Sequence, residues 1–419
     1  MSDHEEVAYA LAKARYAELN VDTVAALRTL AATPFSLPCW QADDVTGTEH
    51  VTESPGGGLA AAGNYPGRAR NLSEVRDDLA TAAKLIPGEH RFNVHAMYAD
   101  FGGRNVDRDE ISPEHFRSWA DWAVDLKAGL DFNCTCFAHP KAASGLTLAN
   151  PDPAIRRFWV RHVQRCRQVS LALGQRLGKR VIHNIWIPDG TKDQTVWRYA
   201  HREWLARSLD EIFSVDGDAA ISVDALEGKL FGLGSESFVV GSHDFYLAYA
   251  LRHDKMLCLD MGHFHPTESV ADKISALLLF FPELLLHLSR GVRWDSDHVL
   301  TLSDASLEVM QEIVRAQAVD RVSFALDYFD GSINRVGAYV VGARAAQKCL
   351  LFALLEPRKR LTECEAASRG FERLALLEAA KSMPWGAVWD YFCVQQGVAL
   401  DHQVWSEIAT YEKNVLARR

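Results

Sequence analysis

Leu257-Cys258-Leu259-Asp260-Met261-Gly262-His263-Phe264-His265-Pro266 is followed by Leu284-Leu285-Leu286-His287-Leu288-Ser289-Arg290 and then by Arg293-Trp294-Asp295-Ser296-Asp297-His298. Each short apolar run ends in Asp or His. Runs of four to eight apolar residues read as buried strands, and the ends of such strands are where a parallel sheet meets solvent. Aspartate and histidine together are ligands for hard-to-borderline divalent ions. The stretch from Met256 to Asp297 therefore reads as the rim of a metal site built on consecutive strand ends.

Working outward, the same grammar repeats. Strand candidates are Pro34–Trp40, Phe92–Tyr98, Leu130–Asn133, Arg180–Trp186, Ile221–Leu226, Lys255–Leu259, Leu284–Leu288 and Arg321–Leu326. Between them lie helical patterns with cap-plus-proline starts at Ser112-Pro113 and Asp152-Pro153 and a capping-box-like start at Asn71. Strands alternating with helices favour parallel pairing through right-handed crossovers. Eight such units predict an α/β fold, a (β/α)8 TIM barrel, with an N-terminal helical segment and a C-terminal helical tail. A doubly wound open sheet is the competing architecture, but it would normally carry a glycine-rich first turn. The expected organisation is a catalytic barrel over residues 1–355, including the N-terminal helices, and a helical extension over 356–419. Residues 41–70 have no periodicity and read as a lid or binding loop.

Composition narrows the partners. The chain has 419 residues and a formal net charge of −10, which argues against a nucleic-acid or anionic-membrane partner. No stretch approaches the length of a transmembrane helix. The first residues lack the basic and apolar regions of a secretory leader, and the eight cysteines show no disulfide or zinc-type spacing, so free thiols in the cytoplasm are expected.

The chemistry gathers at strand ends five to eight, which deliver Glu227, Asp260, His287 and Asp327. Three carboxylates and one imidazole suit Mn2+ or Mg2+ and tolerate Zn2+. His263, Asp295 and Asp297 are placed to hold a second ion beside the first, as in two-metal clamps. Any one of these residues alone would pass for a helix cap or a hydrogen-bonded core histidine; their joint position carries the metal reading. His265 and His298 stand beside the set as outer donors or loop residues. Lys229, two residues after Glu227, is placed to hydrogen-bond a substrate oxygen, with a surface lysine as the ordinary alternative. Trp40, Phe132 and Trp186 offer aromatic faces to a sugar, or else pack the barrel core. His95 and Asp189 are further candidates for hydroxyl binding or ring opening.

Longer motifs carry a resemblance. Cys39-Trp-Gln-Ala-Asp-Asp-Val-x-Gly47, Gly63-Asn-Tyr-Pro-Gly67, Asn184-Ile-Trp-Ile-Pro-Asp-Gly190, Leu259-Asp-x-Gly-His-Phe-His-Pro-Thr-Glu268, Arg293-Trp-Asp-Ser-Asp-His-Val299 and Phe329-Asp-x-Ser-Ile-Asn-Arg335 resemble the L-rhamnose isomerases across essentially the whole chain. The resemblance implies a xylose-isomerase-like barrel, usually a homotetramer. It implies conversion of L-rhamnose to L-rhamnulose with two divalent ions, typically Mn2+, and Zn2+, Mg2+ or Co2+ as substitutes; a metal-assisted hydride shift between C2 and C1 is the expected route, with a cis-enediol route through a carboxylate base as the alternative. Glu227, Asp260, His287 and Asp327 would then hold a structural ion, and His263, Asp295 and Asp297 the catalytic one. Asp327, Lys229 and His263 would be the catalytic side chains. The competing classes are a two-metal barrel hydrolase, which would want a basic mouth, and a non-catalytic sugar-binding barrel.

Overall fold

Eight short strands rich in Val, Leu, Ile and Phe pair in parallel and close on themselves. They are β1 Phe35–Pro38, β2 His90–His95, β3 Gly129–Asn133, β4 Val181–Trp186, β5 Ser222–Glu227, β6 Met256–Asp260, β7 Leu284–Leu288 and β8 Val322–Leu326. Closure is made by β1 on β8, with Phe35 opposite Phe324 and Ser36 opposite Ala325. This computed structural model describes residues 3–49, 63–215, 217–292 and 295–419; for residues 3 and 295–297 only the backbone is described. The lid expected over residues 41–70 lies in large part, at 50–62, outside the described residues.

Alternation along each strand sorts the side chains into two cores. Val181, Ile185, Leu226, Leu257, Leu259, Leu286 and Leu326 pack outward against the helices, whereas Ile182, Val223, Ala225, Met256, Cys258, Leu285 and Ala325 form a separate interior cluster. The side chains that project at the C-terminal rim continue the inward rows: Met256 and Cys258 lead to Asp260, Leu285 leads to His287, and Val223 and Ala225 lead to Glu227. The site is therefore fixed by register, and β6 and β7 set Asp260 directly opposite His287.

The boundaries differ from expectation where local chemistry intervenes. β1 stops at Pro38, which has no N–H to continue the ladder, and Cys39–Gln41 turn as a 3-10 segment. β2 ends at His95, with Ala96–Tyr98 also 3-10. The Ser112-Pro113 start opens a 3-10 turn, and the α-helix begins only at Arg117. Two small antiparallel ladders, Gly190–Thr191 with Phe238–Val239 and Arg290–Val292 with Asp295–His298, decorate the rim and are too short for periodicity to reveal. A Cβ on Gly190 would lie 2.3 Å from the Ser235 Cβ, so that ladder needs a glycine there.

The tail forms four helices, Arg358–Ala366, Gly370–Lys381, Trp385–Gln395 and Asp401–Asn414. They fold back onto the rest of the chain. Tyr391 stacks on Tyr9 with ring centroids 3.9 Å apart, Arg344 binds Asp401, and Arg419 clasps the fully buried Asp78 together with Tyr411.

Candidate metal centre and active site

Glu227, Asp260, His287 and Asp327 each offer one ligand atom, and these four atoms lie within 4.8 Å of one another. Nδ1 of His287 stands 2.9 Å from Asp327 Oδ2 and 3.5 Å from both Glu227 Oε2 and Asp260 Oδ2. His263 Nδ1 lies 2.9 Å from Glu227 Oε1 and 3.9 Å from Asp260 Oδ2. Glu227, Asp260 and His287 are almost wholly buried, while the Asp327 side chain keeps 23% of its surface open to the mouth.

These contacts are convergent rather than hydrogen bonded. Glu227 Oε1, His263 Nδ1 and both ring nitrogens of His287 are buried with no hydrogen-bond partner, although oxygen and nitrogen atoms crowd around them. Buried polar groups are normally paired. Carboxylate and imidazole atoms that converge at these distances fit the donor set of a cation site. The electrostatics agree. Burial works against a charge on His263, yet Asp260 and Glu227 outweigh it and push the imidazole up to about 9. His287 is likewise held well above its ordinary value, burial being overcome by Cys258, Glu227 and Asp327. Burial alone would raise Glu227, but the facing imidazoles of His287 and His263 draw it well below the carboxylate range. A cluster that draws protons onto its imidazoles favours positive charge, and a divalent ion answers that demand by displacing them.

Around this centre a small cavity of about 30 Å3 is lined by Trp40, Val45, His95, Asn133, Phe137, Trp186, Glu227, His263, Asp327 and Phe329. A much larger cavity, about 1350 Å3, opens at the opposite end of the barrel among Arg91, Asp131, Arg180 and Phe324. Among the described residues no cluster of ligating atoms lies there, so chemistry rather than size locates the site.

Trp186 lies parallel to the His263 ring, 6.0 Å between centroids, and the Lys229 ammonium sits over the indole at 4.7 Å. The lysine is thereby buried beside the candidate set with the indole face against its ammonium. Trp40 packs on the His95 ring at 4.0 Å, and burial together with the Arg108 charge pushes His95 down to about 3, so it is a neutral imidazole at the mouth.

Two expectations are corrected. Phe132 belongs to the outer core, edge-on to Phe116, and does not face the mouth. Its neighbour Asn133 does, because β3 places alternate residues on opposite faces. Asp189 is buried and fully engaged by the loop before it: Oδ1 accepts from the Thr147 amide and hydroxyl at 2.8 and 2.6 Å, and Oδ2 from the Ala149 amide at 2.8 Å. It shapes the rim without reaching a ligand. Asp295 and Asp297 stand two apart on the rim hairpin, not at the end of a barrel strand, and their side chains lie outside the described residues. His265 bonds Thr267 at 2.7 Å on the outer side of its loop.

The sequence reading passed over Asn184, Val45, Phe137 and Phe329. Asn184 Nδ2 donates to Glu227 Oε2 at 2.5 Å, fixing one carboxylate oxygen. Phe329 is within reach of the same logic, since it lies two residues beyond Asp327; Val45 and Phe137 sit on irregular segments with no periodic signal.

The sequence model of the family described as L-rhamnose isomerase (RhaA) matches residues 4–419. The L-rhamnose isomerase of Bacteroides thetaiotaomicron is 52% identical over 412 residues, covering 98% of each chain. That of Salmonella paratyphi B is 50% identical over 419 residues, covering 100% of both. Among solved structures, a D-tagatose 3-epimerase-like protein aligns over 70% of this chain and 96% of its own at 13% identity, with a TM-score of 0.47. With a full-length family match and relatives at this identity over their whole length, the chain belongs to the L-rhamnose isomerase family.

Proposed function

We propose that this chain is an aldose–ketose isomerase that interconverts L-rhamnose and L-rhamnulose by moving a hydride between C2 and C1 of the open-chain sugar. The observation that carries the reading is the convergence of Glu227, Asp260, His287 and Asp327 within 4.8 Å, in a chain that matches the isomerase family end to end. The oxygen-rich set favours Mn2+, with Mg2+, Co2+ or Zn2+ as substitutes. His263, with Asp295 and Asp297 from the hairpin, is assigned to a second ion. A divalent ion in this centre supplies Lewis-acid polarisation of the sugar carbonyl.

The remaining work falls to side chains. Asp327, the one member of the first set with an open edge, accepts the O2 proton. The hydride passes from C2 to C1, and the proton is returned to O1, so that atoms and charge balance. Lys229, held over Trp186, donates a hydrogen bond to the oxygen on which charge gathers. Trp40, Trp186 and neutral His95 form the wall against which the sugar rests.

Incubation with L-rhamnose and Mn2+ should yield ketose, and its absence would remove the assignment. In deuterated water the hydride route leaves C1 of the product free of solvent deuterium; wash-in at C1 would replace it with an enediol route. The same reading carries a homotetramer in the cytoplasm. The tetramer rests on the family resemblance and the compartment on eight free cysteines, and native mass spectrometry tests the assembly.

A further inference from the structure

Beneath the oxygen-rich set lies a second, softer one. Glu227, Cys258 and His287 also bring one ligand atom each within 4.8 Å of one another, all three buried. Cys258 is the inward residue of β6 two positions before Asp260, so the same strand presents a carboxylate at the mouth and a thiol one step deeper. The two sets share Glu227 and His287, and His287 has neither ring nitrogen in a hydrogen bond. An ion held by both shared ligands can lean toward Asp260 and Asp327 or toward Cys258, but not both.

We propose that Glu227, Cys258 and His287 form an alternative site for strongly thiophilic divalent cations, of the cadmium class, which captures the centre by displacing the oxygen-preferring ion. This rests on the metal reading above and adds to it a soft ligand. Thiolate ligands select soft ions, whereas carboxylate sets suit Mn2+ and Mg2+. On capture the Cys258 S–H bond breaks, a sulfur–metal bond forms and the proton leaves to solvent, as is usual for a coordinating thiol. Cys258 shares the barrel interior with Val223, Ala225, Met256, Leu285 and Ala325, none of which offers a side-chain oxygen.

The test uses manganese-loaded protein titrated with Cd2+. The expected result is a thiolate-to-cadmium charge-transfer band of one equivalent per chain. Manganese should be released one for one, read from the reappearing resonance of the free ion. Cys258→Ser should lose the band and weaken cadmium binding by about tenfold or more. Because Cys134 and Cys136 place their sulfurs 3.5 Å apart, Cys136→Ser is the control and should keep the band. Cadmium NMR of the unmodified chain provides a measurement that needs no variant, with a single sulfur in the coordination sphere expected. Manganese bound at the start with no thiolate signal on adding cadmium, or a band that survives in Cys258→Ser or vanishes in Cys136→Ser, overturns the inference and leaves the metal reading standing. Failure to take up manganese beforehand overturns that reading and the inference with it.

Discussion

From β1 to β4 the inward side chains are mostly polar: Ser36, Arg91, Asn93, Asp131, Asn133 and Asn184. From β5 to β8 they are apolar up to the last step apart from Ser323 at the far end of β8, with Val223, Ala225, Met256, Cys258, Leu285 and Ala325 beneath Glu227, Asp260, His287 and Asp327. The ligand half thus stands on a dry floor, where carboxylates and imidazoles have chiefly one another as polar neighbours and interact strongly. In the other half Arg91 and Asp131 satisfy one another, whereas Ser36 Oγ and Asn93 Oδ1 are buried without a partner. Arg91 binds both oxygens of Asp131 and the carbonyls of Leu130 and Arg180, closing the far end of the barrel. Near the mouth this half leaves His95 Nδ1 and Asn184 Oδ1 unpaired, facing the side where sugar hydroxyls would lie. One half holds charge and the other holds shape.

If that division is right, the deepest loss comes from the ligand half. Glu227→Gln keeps the shape of the side chain and removes the charge that faces His263 and His287. Since even an outer partner of a ligand costs about 10- to 100-fold, turnover should fall by more than about 100-fold, with manganese binding lost in parallel. Steady-state kinetics and calorimetric titration with Mn2+ measure the two together. Normal metal binding in this variant would break the contrast at its strongest point.

Arg91→Met tests the far end of the polar half. It strands the buried Asp131 carboxylate, and breaking a buried pair costs roughly 3–5 kcal/mol. Urea unfolding should show that loss, while kcat/KM of the folded fraction stays near that of the parent because Arg91 lines the cavity at the opposite end from the ligands. A collapse of activity without loss of stability would mean that the two ends are coupled through the polar column.

Much of this arrangement can be read from the chain because it rests on period-two alternation. The eight strands, their order and the convergence of the candidate ligands Glu227, Asp260, His287 and Asp327 are all consequences of inward rows that end at the rim. Phe132 and Asp189 misled for a physical reason: near a strand end, one residue of register decides which face a side chain takes, and a carboxylate on a loop is as easily engaged by backbone amides as left for a ligand. The rim ladders, the 3-10 turns after β1 and β2 and the wall residues Val45 and Phe137 depend on tertiary contacts between segments far apart in sequence. Local patterns hold no record of such contacts.

The wall of the polar half carries its own pH signature. Asp43 is buried behind Trp40 and Val45, with Oδ1 accepting from the Tyr98 hydroxyl at 2.5 Å and Oδ2 from the Gly47 amide at 2.8 Å. Burial pushes its carboxyl up to about 7 against those hydrogen bonds. In the unfolded chain it would titrate near the ordinary carboxylate value, about 3.9. Between these values the folded state binds more protons than the unfolded state, so this contribution is fully present below about pH 4, declines as pH rises to about 7 and is level beyond. The span is on the order of a few kcal/mol. Stability of Asp43→Asn measured across that range should lose this slope. A parallel curve for parent and variant would show that Asp43 is ionised in the fold.

The finest test lies on β4, where the halves meet. Asn184 belongs to the polar row, yet its Nδ2 donates to Glu227 Oε2 at 2.5 Å, the same oxygen that His287 approaches at 3.5 Å. That bond fixes which lone pairs of Glu227 face the centre. Asn184→Ala removes the donor while leaving every ligand in place, so binding of the ion should weaken by about 10- to 100-fold, equivalent to about 1.4–2.8 kcal/mol. Saturating Mn2+ should then restore most of the turnover, because a mis-set ligand can be compensated by mass action whereas a missing one cannot. Asn184→Asp should fare worse than Ala, since it sets a second carboxylate against Glu227 without a donor. If Asn184→Ala binds manganese as the parent does and still fails to turn over, the residue belongs to the sugar wall through its free Oδ1, and the two halves divide cleanly between β4 and β5.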